Sequence, residues 1–285
     1  MFDAKETFPF FPTELIQEIE NSPFYRSGIL EEIRCRIGQP YVLYGASETV
    51  RLARTASAQE IDAILERASN YSIHTCTDEL KAGYLHTESG CRIGLCGTVT
   101  EVGVRSVSSI SVRVPRAVVG CSESLLGDLL DDGFQSTLIV SPPGGGKTTL
   151  LRDLIGSLSA RGYRVSVVDE RGEIAAVHGR QPRFDLGANC DVMTGGKKAD
   201  CSMMLLRSMN PNVLALDEIT APEDIEAIRY AAGCGVALLA SAHGKDAETL
   251  SERPLYRRLL RERIFHRAVE IRVNGSERLY QVVKL

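Results

Sequence analysis

The sequence lacks any apolar run long enough to cross a membrane. No stretch reaches the roughly 18 uncharged apolar residues that a spanning helix requires. The first 20 residues contain prolines, and no cationic segment precedes a long apolar run there, which excludes a typical secretory signal. We therefore expect a soluble, cytoplasmic chain without direct membrane insertion, which meets a membrane only as a peripheral protein bound to partners.

The sequence also lacks paired cysteines and an excess of basic residues. Its eight cysteines include no Cys-x-x-Cys pair, and the nearest approach, Cys91 with Cys96, has no second pair to complete a zinc site. We expect reduced thiols of the kind found in cytosolic proteins. The 33 basic and 37 acidic residues give a net charge of −4, which provides no general attraction to nucleic acid or anionic lipid.

The 285 residues exceed the usual size of one domain, and the hydrophobic pattern changes near residue 120. The first part mixes helical periodicity with alternating, β-branched segments. We predict a smaller α+β domain over residues 1–120 and a second domain over residues 121–285. Within the first domain, helices are predicted at 57–68 and 78–84, and strands at 32–37, 90–102 and 106–114.

In the second domain, after a short helix at 123–132, strand and helix patterns alternate. This order is typical of an α/β fold with a mostly parallel sheet covered by helices. A basic helix at 255–263 and a hairpin around Asn274-Gly275 are predicted to follow. Strands are expected at 137–140, 164–169, 213–216 and 236–241, and helices at 147–159, 199–209 and 225–231.

A glycine-rich loop, Ser141-Pro142-Pro143-Gly144-Gly145-Gly146-Lys147-Thr148-Thr149, follows the first of these strands. Strand, loop and helix stand in the order of a phosphate-binding (Walker A) loop, G-x-x-x-x-G-K-[ST], although Ser141 replaces the first glycine. Glycines allow backbone N–H groups to face phosphate oxygens, and Lys147 adds a positive charge. Thr148 is a candidate Mg²⁺ ligand, and Thr149 should lie near the inner phosphates. We predict that this loop binds ATP with Mg²⁺.

Two carboxylates are expected at the same edge of the sheet. The apolar strand at 213–216 ends at Asp217 and Glu218, about 70 residues after the loop, and ligands bind at the carboxyl ends of parallel strands. Asp217 is predicted to hold magnesium, and Glu218 is predicted to act as the general base for the attacking water. This Walker B arrangement favours a hydrolase over a passive binder.

Two further strands deliver polar residues to that edge. One leads into Asp169-Glu170-Arg171-Gly172-Glu173, where Glu170 and Glu173 are candidates to orient water or metal. The other ends at His243, a candidate sensor of the terminal phosphate. The alternative interpretations are a solvated loop with salt bridges for the acidic segment and a packed or surface position for the histidine.

Together these motifs resemble the secretion and type IV pilus ATPase superfamily, whose core is RecA-like. Residues 169–173 stand in place of its acidic box, E-D-P-x-E, and residues 206–211 are similar to its L-R-Q-D-P segment but one residue longer. Residues 232–243 resemble its histidine box. The resemblance spans most of 136–245, and it implies a RecA-like P-loop NTPase core that hydrolyses ATP in a ring of identical subunits, expected to be a hexamer.

In members of this superfamily, ATP lies between the core of one subunit and the N-terminal domain of another, which supplies arginines. The resemblance makes Arg105, Arg113 and Arg116 candidates for that role. A guanidinium group against the terminal phosphates offsets the charge on the transferring group. Arginines exposed on a strand surface are the alternative interpretation.

Four segments extend the resemblance to a stage III sporulation family within the superfamily: residues 32–40, 108–116, 168–174 and 206–219. This resemblance covers both predicted domains. It implies a mother-cell ATPase on the cytoplasmic side of the engulfing membrane, where membrane proteins of a channel to the forespore are its partners.

Other functions are compatible with parts of the sequence. Met193-Thr-Gly-Gly196 loosely resembles an ABC transporter signature, but only about 45 residues separate it from Lys147, too few for the helical insertion of that class. A GTPase would need N-K-x-D, and Gly244-Lys245-Asp246 lacks the asparagine. A RecA-like nucleic-acid motor could use the arginine-rich segment 253–267, although the negative net charge makes nucleic acid an unexpected partner. A scaffold that binds ATP with little turnover is the third class.

Overall fold

The computed structural model describes residues 3–45, 48–70, 76–114, 118–178, 181–274 and 277–285. The chain divides into two compact units, Met1–Arg116 and Ala117–Leu285. Each unit has its own buried apolar residues. The predicted boundary follows residue 120, and the observed division follows Arg116.

The N-terminal unit contains a six-stranded sheet whose named strands pair antiparallel. Its spatial order is β3-β2-β1-β6-β5-β4. The strands are β1 (Glu32–Arg36), β2 (Pro40–Tyr44), β3 (Thr49–Thr55), β4 (Tyr84–His86), β5 (Arg92–Thr100) and β6 (Gly103–Arg113), and the helices are α1 (Ala4–Thr7), α2 (Thr13–Asn21), α3 (Pro23–Arg26), α4 (Ala58–Ala68) and α5 (Thr77–Ala82).

Helix α4 illustrates how the sequence sets these elements. The Ser57 hydroxyl accepts a hydrogen bond from the Glu60 N–H at 3.1 Å and so caps the first turn. Ile61, Ile64 and Leu65 recur at helical spacing on the buried face. This face packs into the same core as the aromatic cluster Phe8, Phe10 and Phe11 near the N-terminus.

The C-terminal unit contains a seven-stranded sheet in the order β11-β8-β12-β13-β7-β14-β15. All neighbouring strands pair parallel except β14 and β15, which form an antiparallel hairpin. The strands are β7 (Thr137–Ser141), β8 (Val165–Asp169), β11 (Cys190–Thr194), β12 (Val213–Glu218), β13 (Ala237–His243), β14 (Arg267–Asn274) and β15 (Glu277–Lys284); β9 (Val177–His178) and β10 (Gln181–Pro182) form a separate two-stranded ladder.

Helices cover both faces of this sheet. Strand β7 shows the arrangement, because Ile139 packs into one core while Leu138 and Val140 pack into the other. The predicted α/β architecture with a mostly parallel sheet is confirmed. The helices are α6 (Glu123–Leu130), α7 (Lys147–Ala160), α8 (Lys198–Ser208), α9 (Pro222–Gly233), α10 (Ala247–Leu250) and α11 (Pro254–Arg261). In the described part of the chain, no helix combines the length and the apolar character needed to span a bilayer.

Candidate functional site

The phosphate loop connects the buried strand β7 to helix α7, as the sequence predicted. All five residues of β7 are buried, and α7 begins at Lys147. Gly144 and Gly146 have φ values of +73° and +98°, which favour glycine because they lie in the left-handed region. The loop therefore turns where its glycines permit it and presents the N-terminus of a 14-residue helix at the carboxyl edge of the sheet.

Ser141, which replaces the first glycine of the motif, is accommodated by Gly145. The Ser141 side chain is buried, and a Cβ atom added at Gly145 would lie 1.7 Å from its Oγ and 3.0 Å from its Cβ. A side chain at residue 145 would therefore force the Ser141 hydroxyl to move from its position in the loop. The two positions compensate for each other within the loop.

The Lys147 side chain extends back to the start of the loop, and 8% of the residue is exposed. Its ammonium group donates hydrogen bonds to the carbonyl oxygens of Ser141 at 3.1 Å and Pro142 at 3.3 Å. Burial lowers the pKa of Lys147, while the carboxylates of Glu218 and Asp217 act in the opposite direction. The same Nζ lies 2.6 Å from Nδ1 of His243.

His243 connects this lysine to the predicted catalytic base. Its Nε2 lies 3.0 Å from Oε2 of Glu218. Strand β13, which ends at His243, lies between β7 and β12, so the imidazole is placed between the loop after β7 and the carboxylate that ends β12. Lys147, His243 and Glu218 thus form a continuous polar chain.

Asp217 precedes Glu218 and is 7% exposed. Burial raises the pKa of Asp217 to about 6, and the nearby Glu173 adds to the increase. A divalent cation would favour the ionised form of such a buried carboxylate. The Asp217 carboxylate and the Thr148 hydroxyl are oxygen donors of the kind that Mg²⁺ prefers, so this site fits the predicted metal.

The acidic residues at the end of β8 and in the loop after it differ in burial. Asp169 is fully buried and accepts hydrogen bonds from the N–H groups of Ile174 at 3.0 Å and Ala175 at 2.8 Å. Burial raises its pKa, and these hydrogen bonds oppose the increase. Glu170 is directed to Lys198, with 3.4 Å between Oε2 and Nζ. Direct roles of Glu170 and Glu173 at water or metal stay predictions.

Sequence reasoning missed two buried cations near this edge. Lys198, the first residue of α8, is 5% exposed, and it follows the exposed Lys197 in a stretch that carried no recognised motif. Arg152 in α7 donates to the carbonyl oxygens of Ile174 and Glu173, both at 2.7 Å, and its guanidinium lies 3.7 Å from the centroid of the Phe184 ring. The position of Arg152 among the apolar residues of α7 could have indicated from the sequence that this arginine is buried.

The predicted arginines belong to the N-terminal unit. Arg105 and Arg113 lie on β6, where Arg113 is exposed and Arg105 is half-buried. Arg116 lies outside the described residues. Their predicted role at a neighbouring subunit stays a prediction.

The fold is that of secretion and pilus ATPases. The X-ray structure of the Legionella pneumophila ATPase DotB is 17% identical and matches 95% of this chain and 80% of its own, with a TM-score of 0.66. The crystal structure of the pilus retraction motor PilT with bound ADP is 16% identical and matches 95% of this chain and 82% of its own, also with a TM-score of 0.66. These likenesses confirm the predicted fold class, with a RecA-like P-loop core.

Sequence similarity then defines the family. The protein-family model described as Sporulation stage III, protein AA matches residues 14–281, and the chain belongs to this family. Stage III sporulation protein AA of Bacillus subtilis is 39% identical over 265 residues, which are 89% of this chain and 86% of that protein. The resemblance drawn from the motifs of both domains is confirmed.

Proposed function

We propose that this protein is a magnesium-dependent ATPase that works as a secretion-type motor of sporulation. The observation that carries the proposal is the polar chain from the loop lysine to the base, with His243 lying 2.6 Å from Lys147 and 3.0 Å from Glu218. A loop that only binds nucleotide needs no carboxylate connected to it in this way. The arrangement supports hydrolysis.

Each side chain of the site has a chemical role in phosphoryl transfer. Lys147 neutralises charge on the terminal phosphates, and Glu218 accepts a proton from the attacking water. Thr148 and Asp217 would hold Mg²⁺, which when bound would supply further charge neutralisation. His243 fixes the orientation of the Glu218 carboxylate and reports whether Lys147 contacts the phosphate or the loop carbonyls.

The family supports the biological part of the proposal. We propose a ring of identical subunits, with six expected, peripheral to the engulfing membrane on its mother-cell side. Partner membrane proteins would hold it there, and hydrolysis would energise assembly of a channel to the forespore or transport through it. The pilus retraction motor PilT, whose fold this protein shares, supports a mechanical task.

A nucleic-acid motor is less well supported, because several arginines of segment 253–267 contact their own chain. Arg253 donates to the His243 carbonyl at 2.6 Å, and Arg257 donates to the carbonyls of Ser251 and Glu252. Arg267 is 2% exposed and pairs with Asp131. We expect no salt-dependent DNA binding of the kind that phosphate contacts produce.

Turnover and binding measured side by side test the proposed activity. The full chain with ATP and Mg²⁺ should release phosphate, and EDTA should stop the release. Glu218→Gln should retain nucleotide affinity in calorimetry and lose at least about 100-fold in kcat, since it removes the base but keeps the loop. Lys147→Ala should lose affinity. Binding without turnover in the parent would instead support the scaffold, and full turnover in Glu218→Gln would refute the assignment of the base.

A further inference from the structure

A second buried lysine, Lys198, lies at the carboxyl edge of the sheet. Gly195, with φ +78°, and Gly196 connect β11 to α8. A Cβ atom at Gly196 would lie 2.5 Å from Sγ of Cys201, so the connection packs closely on the first turns of the helix. Helix α8 begins two residues after Gly196, and its first residue, Lys198, is 5% exposed.

The Lys198 ammonium group contacts three oxygens from three different elements. It donates a hydrogen bond to the backbone carbonyl of Glu218 at the end of β12. It also lies 3.4 Å from Oε2 of Glu170, in the loop after β8, and 3.6 Å from Oδ2 of Asp224, in the first turn of α9. A buried cation is costly unless oxygens surround it, and these three oxygens meet that need.

The contact with Glu218 falls where the sheet is irregular. The pairing of β12 with β13 changes register between Ala215 and Glu218, and Glu218 then pairs with Ser241 on β13. His243 holds the Glu218 side chain at 3.0 Å. Lys198 holds its main chain. The catalytic carboxylate is therefore positioned by two separate groups.

The two carboxylates beside Lys198 differ in burial and in how firmly hydrogen bonds hold them. Asp224 is 5% exposed and accepts hydrogen bonds from the N–H groups of Thr220 at 3.0 Å and Ala221 at 3.1 Å, so it is fixed in the turn that begins α9. The Glu170 side chain is 40% exposed and lies in a surface loop. Glu170 is thus the partner of Lys198 whose position can change without disrupting the core.

We propose that Lys198 is a positioning residue for Glu218, and that Glu170 influences hydrolysis through Lys198 rather than by touching nucleotide or metal. This inference rests on the proposed ATPase function. General-base catalysis is sensitive to small displacements, since a misplacement of about 1 Å costs about 100-fold in rate. Loss of the ammonium group would remove the contact with the Glu218 carbonyl at the end of β12 and leave the phosphate loop intact.

Kinetics and binding on the full-length chain test the role of Lys198. Lys198→Met, which keeps most of the side-chain length and removes the charge, should lower kcat by about 10- to 100-fold and leave the Kd for Mg-ATP within about twofold. Lys198→Arg should recover much of the kcat, because a guanidinium can still donate to the Glu218 carbonyl. Lys197→Met is the matched control, since Lys197 is adjacent but exposed, and it should behave as the parent.

A double-mutant cycle tests the role of Glu170. Glu170→Gln should reduce kcat in the parent without changing Mg-ATP affinity. In the Lys198→Met background the same substitution should have little further effect, because the two residues act as one unit. Should Lys198→Met fail to fold, Glu170→Gln is compared in the parent and in Lys198→Arg, where a reduced kcat with unchanged affinity in both is the expected result.

Several results would overturn the inference. One is a kcat of Lys198→Met within about twofold of the parent, which would mean that Glu218 needs no such support. Others are additive effects of the two substitutions, or weaker Mg-ATP affinity in Glu170→Gln, which would place Glu170 at the ligand. These differ from failure of the proposed function, in which the parent has no turnover or Glu218→Gln retains it.

Discussion

At the scale of single residues, the compensation between Ser141 and Gly145 explains why the phosphate loop departs from its usual first residue. We expect Gly145→Ala to weaken ATP binding, because its Cβ would lie 1.7 Å from the Ser141 Oγ. A strain of about 1–3 kcal/mol on the loop conformation that binds phosphate would correspond to a loss of affinity of about 5- to 150-fold. Titration calorimetry with Mg-ATP measures it.

The matched control for this prediction is the double variant Ser141→Gly with Gly145→Ala. Removing the serine side chain should restore most of the affinity, although the new Cβ still lies 3.1 Å from the Pro142 carbonyl oxygen. Ser141→Gly alone should bind nearly as the parent does. Equal losses for Gly145→Ala with and without the serine would show that the collision is not the cause.

Some residues of the site could be identified from a short sequence motif, and others could not. Lys147, Thr148, Asp217 and Glu218 were assigned from short motifs at the ends of apolar strands, where the sequence itself determines the neighbours. Lys198 could not be assigned, because its partners Glu218, Glu170 and Asp224 come together only when three elements pack. A buried cation with long-range partners leaves no local pattern.

At the scale of elements, helix α11 supports the segment that follows the predicted base. The Tyr256 hydroxyl donates a hydrogen bond of 2.6 Å to the carbonyl of Ile219, and Tyr256 is 4% exposed. Tyr256→Phe should lower the free energy of unfolding by about 1–3 kcal/mol, because a buried carbonyl loses its donor. Urea denaturation should show a lower midpoint with an unchanged slope.

Tyr230→Phe is the control for that measurement. Tyr230 lies on α9 and is 45% exposed, so water can replace any partner that its hydroxyl loses. Its unfolding midpoint should match that of the parent. If Tyr256→Phe is as stable as Tyr230→Phe, the hydrogen bond to Ile219 makes no net contribution to the free energy of unfolding.

The C-terminal hairpin brings a cation to the phosphate loop. Nε of Arg278 on β15 lies 3.9 Å from the position of a Cβ atom at Gly146. We expect Arg278→Ala to weaken Mg-ATP binding by about three- to tenfold, with a smaller effect at high salt, since its charge favours phosphate at this loop.

Arg272→Ala is the matched control for the hairpin, because its side chain is 67% exposed and lies 3.8 Å from Glu270. We expect its affinity to equal that of the parent. Calorimetry at two salt concentrations makes the comparison. Equal, small effects of both substitutions would contradict a specific contribution of Arg278 to nucleotide binding.

Two of the strands that sequence reasoning missed, β11 and β3, have weak sequence patterns. Strand β11 lies at the edge of the parallel sheet, and its residues are half-buried or exposed, so it lacks the apolar run that marked β12. Strand β3 alternates exposed with half-buried residues and contains Arg51 and Arg54. Strands buried on both faces were found because burial leaves a continuous apolar signature.

At the scale of the whole molecule, the proposed ring links assembly to nucleotide binding. If ATP lies between subunits, it should stabilise the assembled form, since a ligand that prefers one state shifts the equilibrium toward it. We expect the parent to shift to a larger mass, about six subunits, when Mg-ATP is added. Lys147→Ala should not shift, because it lacks the ammonium group that binds the phosphates.

Sedimentation velocity at several protein concentrations measures this shift, and Glu218→Gln separates binding from turnover. This variant should assemble with ATP at least as fully as the parent, since it retains the loop and does not consume the ligand. If the parent has the same mass with and without Mg-ATP while calorimetry shows that it binds, nucleotide does not bridge subunits. The arginines on β6 would then have no role at a neighbouring site.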